Sequence, residues 1–418
     1  MAIWRIQGGS PLSGSVRIHG AKNAVLPIMA ASILYGCEVE LLNVPKLRDV
    51  DASVAILRRL GCAVEREGDA VNIDSQKLCR SHIPHELMRE MRSSVIFLGA
   101  ILARCGTATL SAPGGCELGP RPIDLHLDAL RALGADIREE AGNISCQAET
   151  LKGAYINLKN PSVGATENAM IAACAAKGET VVTNAAREPE IVDLQGFLNA
   201  MGAHVTGAGT PCIRICGLEP RARVGYRVMP DRIVAATFLC ATALAGGETE
   251  LRSAVPAHIE TVSAALEEMG CAVTRRANSL RIVSDGVLKA GRPVVTSPYP
   301  GFPTDAQPLL MAACLKAEGT TAFVENIFEN RFRHVEELKR LGADIRRSGN
   351  RVALVTGVRG LHGAEVLATD LRGGAALLIA ALAAEGETIL FDSGHIDRGY
   401  DNLDESLRNL GADVEKEL

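Results

Sequence analysis

Aromatic residues are scarce: eight Phe, five Tyr and one Trp in 418 residues. A basic surplus is missing too, for the formal net charge is −5. General nucleic-acid binding draws on phosphate neutralisation and base stacking, so that class is set aside. The apolar stretches, such as Ala24–Leu34 and Val95–Ala103, are alanine-rich and shorter than the about 20 residues of a membrane helix. No leader-like segment opens the chain; strand-like sequence begins at once, and a reducing cytoplasm is expected. No disulfide framework is legible among the twelve cysteines. Cys105, Cys174, Cys240 and Cys314 lie in apolar runs, where cysteine behaves as a small buried hydrophobe. Cys212 and Cys216 lack a second ligand pair, so no zinc site is expected. Neither a Walker loop nor a Rossmann glycine fingerprint is present.

What is present is repetition. A Leu/Met-Gly-Ala/Cys marker recurs six times, at Gly61, Gly134, Gly202, Gly270, Gly342 and Gly411, roughly every 70 residues. About 23–28 residues upstream of each, a glycine opens a β-type run: Gly36, Gly106, Gly178, Gly247, Gly319 and Gly386. Each unit reads as β-α-β-α-β-β. The first helix is apolar all round, as in Val234–Ala245 or Ala375–Ala384, and belongs inside a core. The upstream glycine is expected to end that helix, and the marker glycine to end the second, amphipathic one. Ser15–Ile18 reads as the first strand of unit one, and unit four begins near Gly225–Pro230. Unit six ends at Leu418 with too few strands, while Ile3–Gln7 is a spare strand at the N-terminus. The expected domains are therefore 22–229, with three repeats, and a discontinuous 1–21 plus 230–418, with three more.

Polar residues gather where the inner helices begin: Lys22-Asn23, Arg92-Ser93-Ser94, Ser162-Val163-Gly164, Asp231-Arg232, Thr304-Asp305 and Asp370-Leu371-Arg372. Pseudo-threefold domains facing each other would bring these helix starts to one cleft. Asp, Ser and Thr there are ordinary caps as readily as ligands. Lys22, Arg92 and Arg372 differ, because the helix dipole disfavours a cation at its start. Something must offset them, and a phosphate or carboxylate ligand does so. A second concentration is the Pro/Gly-rich stretch Pro113–His126, holding Cys116 near Arg121. A nearby cation favours thiolate, so Cys116 is either a reactive thiol or an incidental loop cysteine.

Taken together these motifs closely resemble the UDP-N-acetylglucosamine 1-carboxyvinyltransferases, the enolpyruvyl transferases of peptidoglycan synthesis. The likeness spans the chain. It includes G-A-K-N at Gly20–Asn23, M-R-S-S at Met91–Ser94, P-G-G-C ending at Cys116 and R-P-I-D-L-H from Arg121. It continues through S-V-G-A-T at Ser162–Thr166, F-P-T-D at Phe302–Asp305, F-E-N-R-F at Phe328–Phe332, A-T-D-L-R at Ala368–Arg372 and H-I-D-R-G-Y at His395–Tyr400. Pro120 departs from the small residue of many relatives. Asn160-Pro161 precedes Ser162 where some relatives carry a lysine, a place Lys159 can fill.

The resemblance implies an α/β fold, a two-domain inside-out α/β barrel of six β-α-β-α-β-β repeats. It implies enolpyruvyl transfer from phosphoenolpyruvate to the 3-hydroxyl of UDP-N-acetylglucosamine, through a tetrahedral intermediate and with no cofactor or metal. By the same resemblance Cys116 is the acid and Asp305 the base or orienting carboxylate. Lys22, Arg121 and Arg398 hold phosphoenolpyruvate, with Arg92 toward the nucleotide. Arg331, Asp370 and Arg372 complete the substrate wall. Asn23, Arg121, Pro122, Ile123, Asp124, Leu125, Ser162, Val163, Gly164, Asp305 and Ile327 match nucleotide-sugar contacts. Expected partners are the two small substrates, neither nucleic acid nor membrane; self-association is left open. A shikimate 3-phosphate enzyme would lack the P-G-G-C loop. A non-catalytic sensor would lack a reacting group, and none is missing.

Overall fold

The computed structural model describes residues 1–111, 123–140 and 142–417. Among the described residues, six four-stranded sheets recur with one internal order, and one two-stranded pair is also present. In one, Arg223–Arg227 runs parallel to Glu38–Leu42, which pairs antiparallel with Ala70–Asp74, itself antiparallel to Ala63–Glu67. Alternate residues face inward: Val39 and Leu41 are buried while Glu38 is exposed. That alternation marks a sheet covered on one face only.

The expectation of an inside-out barrel is overturned. Each sheet keeps two edge strands, and among the described residues none closes on itself or continues into another. A barrel needs strands staggered continuously around a ring; here helices and loops separate the four-stranded segments. The fold is α/β, with repeats of β-α-β-α-β-β character and open sheets.

Two compact units divide the described chain, one over 20–229 and one over 1–19 with 230 onward. Each has its own apolar core. The inner helices lie in these cores with no solvated face: every residue from Ile233 to Leu244 is buried. The marker glycines all adopt left-handed φ, +107° at Gly61, +97° at Gly134, +106° at Gly202, +113° at Gly270, +91° at Gly342 and +92° at Gly411. A Cβ is strained there, which is why the outer helices stop at glycine. The upstream glycines behave differently from expectation. Gly106 caps its inner helix at φ +71°, but the helices Lys22–Ala31, Val163–Ala173 and Leu371–Leu382 end at Ser32, Cys174 and Ala383.

Strand partnership also differs. Leu12–Arg17 does not serve the first repeat; it runs parallel to Gly247–Arg252 of the fourth. Arg223–Arg227 takes the vacated place beside Glu38–Leu42. Ala2–Gln7 lies between Glu387–Asp392 and Asp413–Glu417. Period-2 patterning identifies a strand but not its partner, and a parallel pair is joined by a long crossover of no fixed length.

Candidate functional site

In the unit spanning 20–229, Lys22 is the first residue of the helix Lys22–Ala31, whose N-cap Ala21 offers no side-chain acceptor. Its Nζ lies 2.8 Å from Asp49 Oδ2. Asp49 sits in the first turn of Arg48–Leu60 and is buried. A protein carboxylate thus offsets the lysine at the helix start. Asp49 is not singled out by the sequence motifs, although two acids in that first turn, Asp49 and Asp51, were the available signal. Asn23 is half-buried beside Lys22. Arg92 opens the 3-10 turn Arg92–Ile96; its side chain, and all of Cys116, Arg121 and Pro122, lie outside the described residues.

Asp124 begins the helix Asp124–Ala132, following Ile123, with Leu125 half-buried. Ser162 caps Val163–Ala173, its Oγ accepting from the Ala165 N–H at 3.4 Å. Val163 and Gly164 are half-buried. A Cβ on Gly164 would come within 2.9 Å of the His126 ring, so these two helix starts touch. Beneath them, Asn168 Oδ1 accepts from the Gly99 N–H at 2.8 Å, which fixes the amide's orientation. Its Nδ2 therefore donates, to Val95 O at 2.9 Å and to His126 Nδ1 at 2.9 Å. Burial lowers the His126 pKa to about 4, so the ring is neutral and accepts. Burial, with Glu190 and Glu188 adding to it, also holds the Glu167 carboxyl well above the usual range. Lys159, exposed, lies 3.6 Å from Asp128 Oδ2.

In the other unit, Asp305 stands in the 3-10 turn Thr304–Ala306. Arg331 Nη2 donates to its Oδ1 at 2.8 Å, and Arg372 Nη2 to its Oδ2 at 3.3 Å. The Arg331 and Arg372 side chains are only 2% and 4% exposed, whereas Asp305 is 28% exposed. Two buried guanidiniums thus present one accessible carboxylate. Arg331 also donates from Nε and Nη2 to Thr304 O, at 3.1 and 2.9 Å, which locks its fork. Arg372 is placed by Asp370, the N-cap of Leu371–Leu382, whose Oδ1 accepts from Arg372 N and Gly373 N at 3.1 and 3.0 Å. Burial works against the Arg372 charge, but Tyr400 and Asp305 outweigh it and raise its pKa above the ordinary value. Ile327 is exposed, its N–H donating to Glu325 Oε1 at 2.8 Å. Arg398 closes a separate 3-10 turn, Ile396–Arg398, whose entry is fastened by Asp392. Within this unit, Asp305, Arg331, Asp370 and Arg372 form one cluster. Among the described residues no group of three or more acids, His or Cys is arranged to hold a metal.

The EPSP synthase family model (3-phosphoshikimate 1-carboxyvinyltransferase) matches residues 6–407. A solved EPSP synthase from Acinetobacter baumannii shares the fold, with a TM-score of 0.73 at 20% identity over 100% of both chains. Curated relatives separate the branches. UDP-N-acetylglucosamine 1-carboxyvinyltransferase 2 of Caldanaerobacter subterraneus is 48% identical over 99% of both chains. The chain belongs to the UDP-N-acetylglucosamine 1-carboxyvinyltransferase family. Its counterpart from Halothermothrix orenii is 46% identical over 100% of both chains. The enolpyruvyl transferase NikO from Streptomyces tendae superposes with a TM-score of 0.88 at 28% identity, over 99% of this chain and 98% of that one.

Proposed function

We propose that this enzyme transfers the enolpyruvyl group of phosphoenolpyruvate to the 3-hydroxyl of UDP-N-acetylglucosamine, releasing phosphate in the first committed step of peptidoglycan synthesis. The observation that carries this reading is near-full-length identity of 48% to a relative bearing that name. In the addition step the sugar O3 loses its proton and bonds to C2 of phosphoenolpyruvate, while C3 gains a proton. In the elimination step C3 loses a proton and the C2–O bond to phosphate breaks. Neither step changes the net oxidation state, so none requires a redox cofactor.

The roles are those that the family resemblance implies for the chemistry of each step. Cys116 supplies the proton to C3, in a sequence context with Arg121 nearby. Asp305 accepts the hydrogen bond of the 3-hydroxyl and orients it; its fixed, accessible carboxylate supports this. Lys22, Arg121 and Arg398 bind the anionic groups of phosphoenolpyruvate. Asn23, Arg92, the stretch Arg121–Leu125, Ser162, Val163, Gly164 and Ile327 contact the nucleotide sugar. We place the enzyme in the cytoplasm. All eleven described cysteines are unbridged, and among the described residues no helix is long and apolar enough to cross a membrane. The test is phosphate release with each acceptor. Turnover with UDP-N-acetylglucosamine and none with shikimate 3-phosphate is expected; the reverse would move the chain to the sister activity.

A further inference from the structure

His334 is fully buried at the end of the 3-10 turn Arg331–His334, against the backbone of both segments that carry the arginines gripping Asp305. On one side its Nδ1 lies 3.2 Å from the carbonyl oxygen of Arg331. On the other it backs the first turn of the helix Leu371–Leu382. A Cβ added at Gly373 would come within 2.9 Å of His334 Cβ and 2.7 Å of Asp370 Oδ2. Asp370 caps that helix and sets the backbone of Arg372.

The tautomer follows from the partner. A carbonyl only accepts, so Nδ1 must carry the hydrogen. Burial, opposed in part by Asp370, lowers the imidazole pKa to about 4, so the ring is neutral near pH 7. Nε2 is then a bare acceptor, and it has no hydrogen-bond partner. An unsatisfied buried acceptor is costly, and an apolar side chain would avoid that cost. What an apolar residue lacks is the Nδ1–H that fastens Arg331.

We propose that His334 is a positioning residue for the reaction, holding the Arg331 backbone and the start of the Arg372 helix in register so that both guanidiniums meet Asp305. This rests on the role of Asp305 given above. Small shifts matter here, because a misplacement of about 1 Å in an orienting group can cost on the order of 10²-fold in rate.

Two substitutions separate positioning from mere filling. His334→Asn keeps an N–H close to the Nδ1 position, whereas His334→Gln moves the amide out toward Nε2. The expected kcat is within about threefold of wild type for His334→Asn and about 10- to 100-fold lower for His334→Gln, with KM for phosphoenolpyruvate within about twofold in both. Placed on Asp305→Ala and read by single turnover with enzyme in excess, His334→Gln should cause no further loss, because groups acting as one unit are not additive. Equal rates for the two His334 variants, or a further loss of about tenfold in the double variant, would overturn the inference. A wild-type rate for Asp305→Ala alone would instead remove the reading on which it rests.

Discussion

Lys22 and Asp49 form a close ion pair, Nζ to Oδ2 at 2.8 Å, in which a nearly buried ammonium at one helix start faces a buried carboxylate in the first turn of the next helix. Removing one partner leaves the other desolvated. We therefore expect Asp49→Ala to lower stability by about 2–4 kcal/mol, less than a fully buried pair because Lys22 keeps some solvent contact. It should also lower kcat/KM for phosphoenolpyruvate by about tenfold or more, since the ammonium loses its fixed position. Urea denaturation and steady-state kinetics check both. Unchanged values would mean that Lys22 is held by other groups.

Asp305→Ala should nearly abolish turnover, by about 10²–10⁴-fold, in a protein that still unfolds cooperatively. The residue is accessible and borne on two anchored arginines, so its loss should leave Arg331 and Arg372 destabilised locally rather than unfold the unit. Near-normal turnover in the purified variant would exclude Asp305 from the chemistry.

Cys116 should be the fast-reacting thiol and the site labelled by the epoxide fosfomycin. Its competitors are mostly disarmed by burial, which pushes Cys62, Cys146, Cys174 and Cys314 to about 12 and Cys271 to about 11. Thiolate is negligible there at pH 7–8. Cys79, Cys216 and, against the expectation of a buried hydrophobe, Cys105 are exposed and form the internal control. Peptide mass mapping after brief treatment should find the adduct on Cys116; adducts confined to Cys79, Cys105 or Cys216 would contradict this. Cys116→Asp should retain some turnover and escape labelling, whereas Cys116→Ser, a far weaker acid, should lose most turnover.

His126 should steepen acid unfolding. Its folded pKa, about 4, lies below the ordinary 6.5. The unfolded chain therefore binds this proton first, and stability falls as pH drops from 6.5 to 4, then levels. The full effect is about 3 kcal/mol. Protonation at Nδ1 would also break the bond from Asn168. Asp193, raised to about 6 mainly by burial, acts in the opposite sense over much of this window. The comparison is therefore wild type against His126→Asn, whose amide oxygen lies close to the Nδ1 position and accepts but does not titrate. Urea midpoints should fall less with acid in the variant; parallel curves would contradict the assignment.

Much of the element order was legible because two glycine markers recur in phase, and the six marker glycines do occupy left-handed positions. The buried inner helices were legible from their lack of a polar face. Strand partners were not. Nothing in Leu12–Arg17 says that it pairs with Gly247–Arg252, because the pairing is parallel and distant. Nor does any local pattern reveal the open sheets, since alternation is the same in a closed ring. In the site, Asp305, Arg331 and Arg372 stood out through motif likeness, but their mutual pairing is a tertiary fact. Asp49, Asn168 and His334 were not legible because each matters through partners distant in sequence or hidden in a turn.

The placement of Ala2–Gln7 between Glu387–Asp392 and Asp413–Glu417 bears on the order in which the molecule can be assembled on a ribosome. All strands and helices of the 20–229 unit are contiguous, so it can fold as soon as it has emerged. Among the described strands, the first made pairs with two of the last made. Ala2–Gln7 must wait, unpaired on both edges, through nearly the whole of synthesis, and an unpaired edge is a template for wrong partners. Arg5 in mid-strand, which in the finished sheet bonds Glu417, is the kind of charged residue that keeps such a waiting strand soluble.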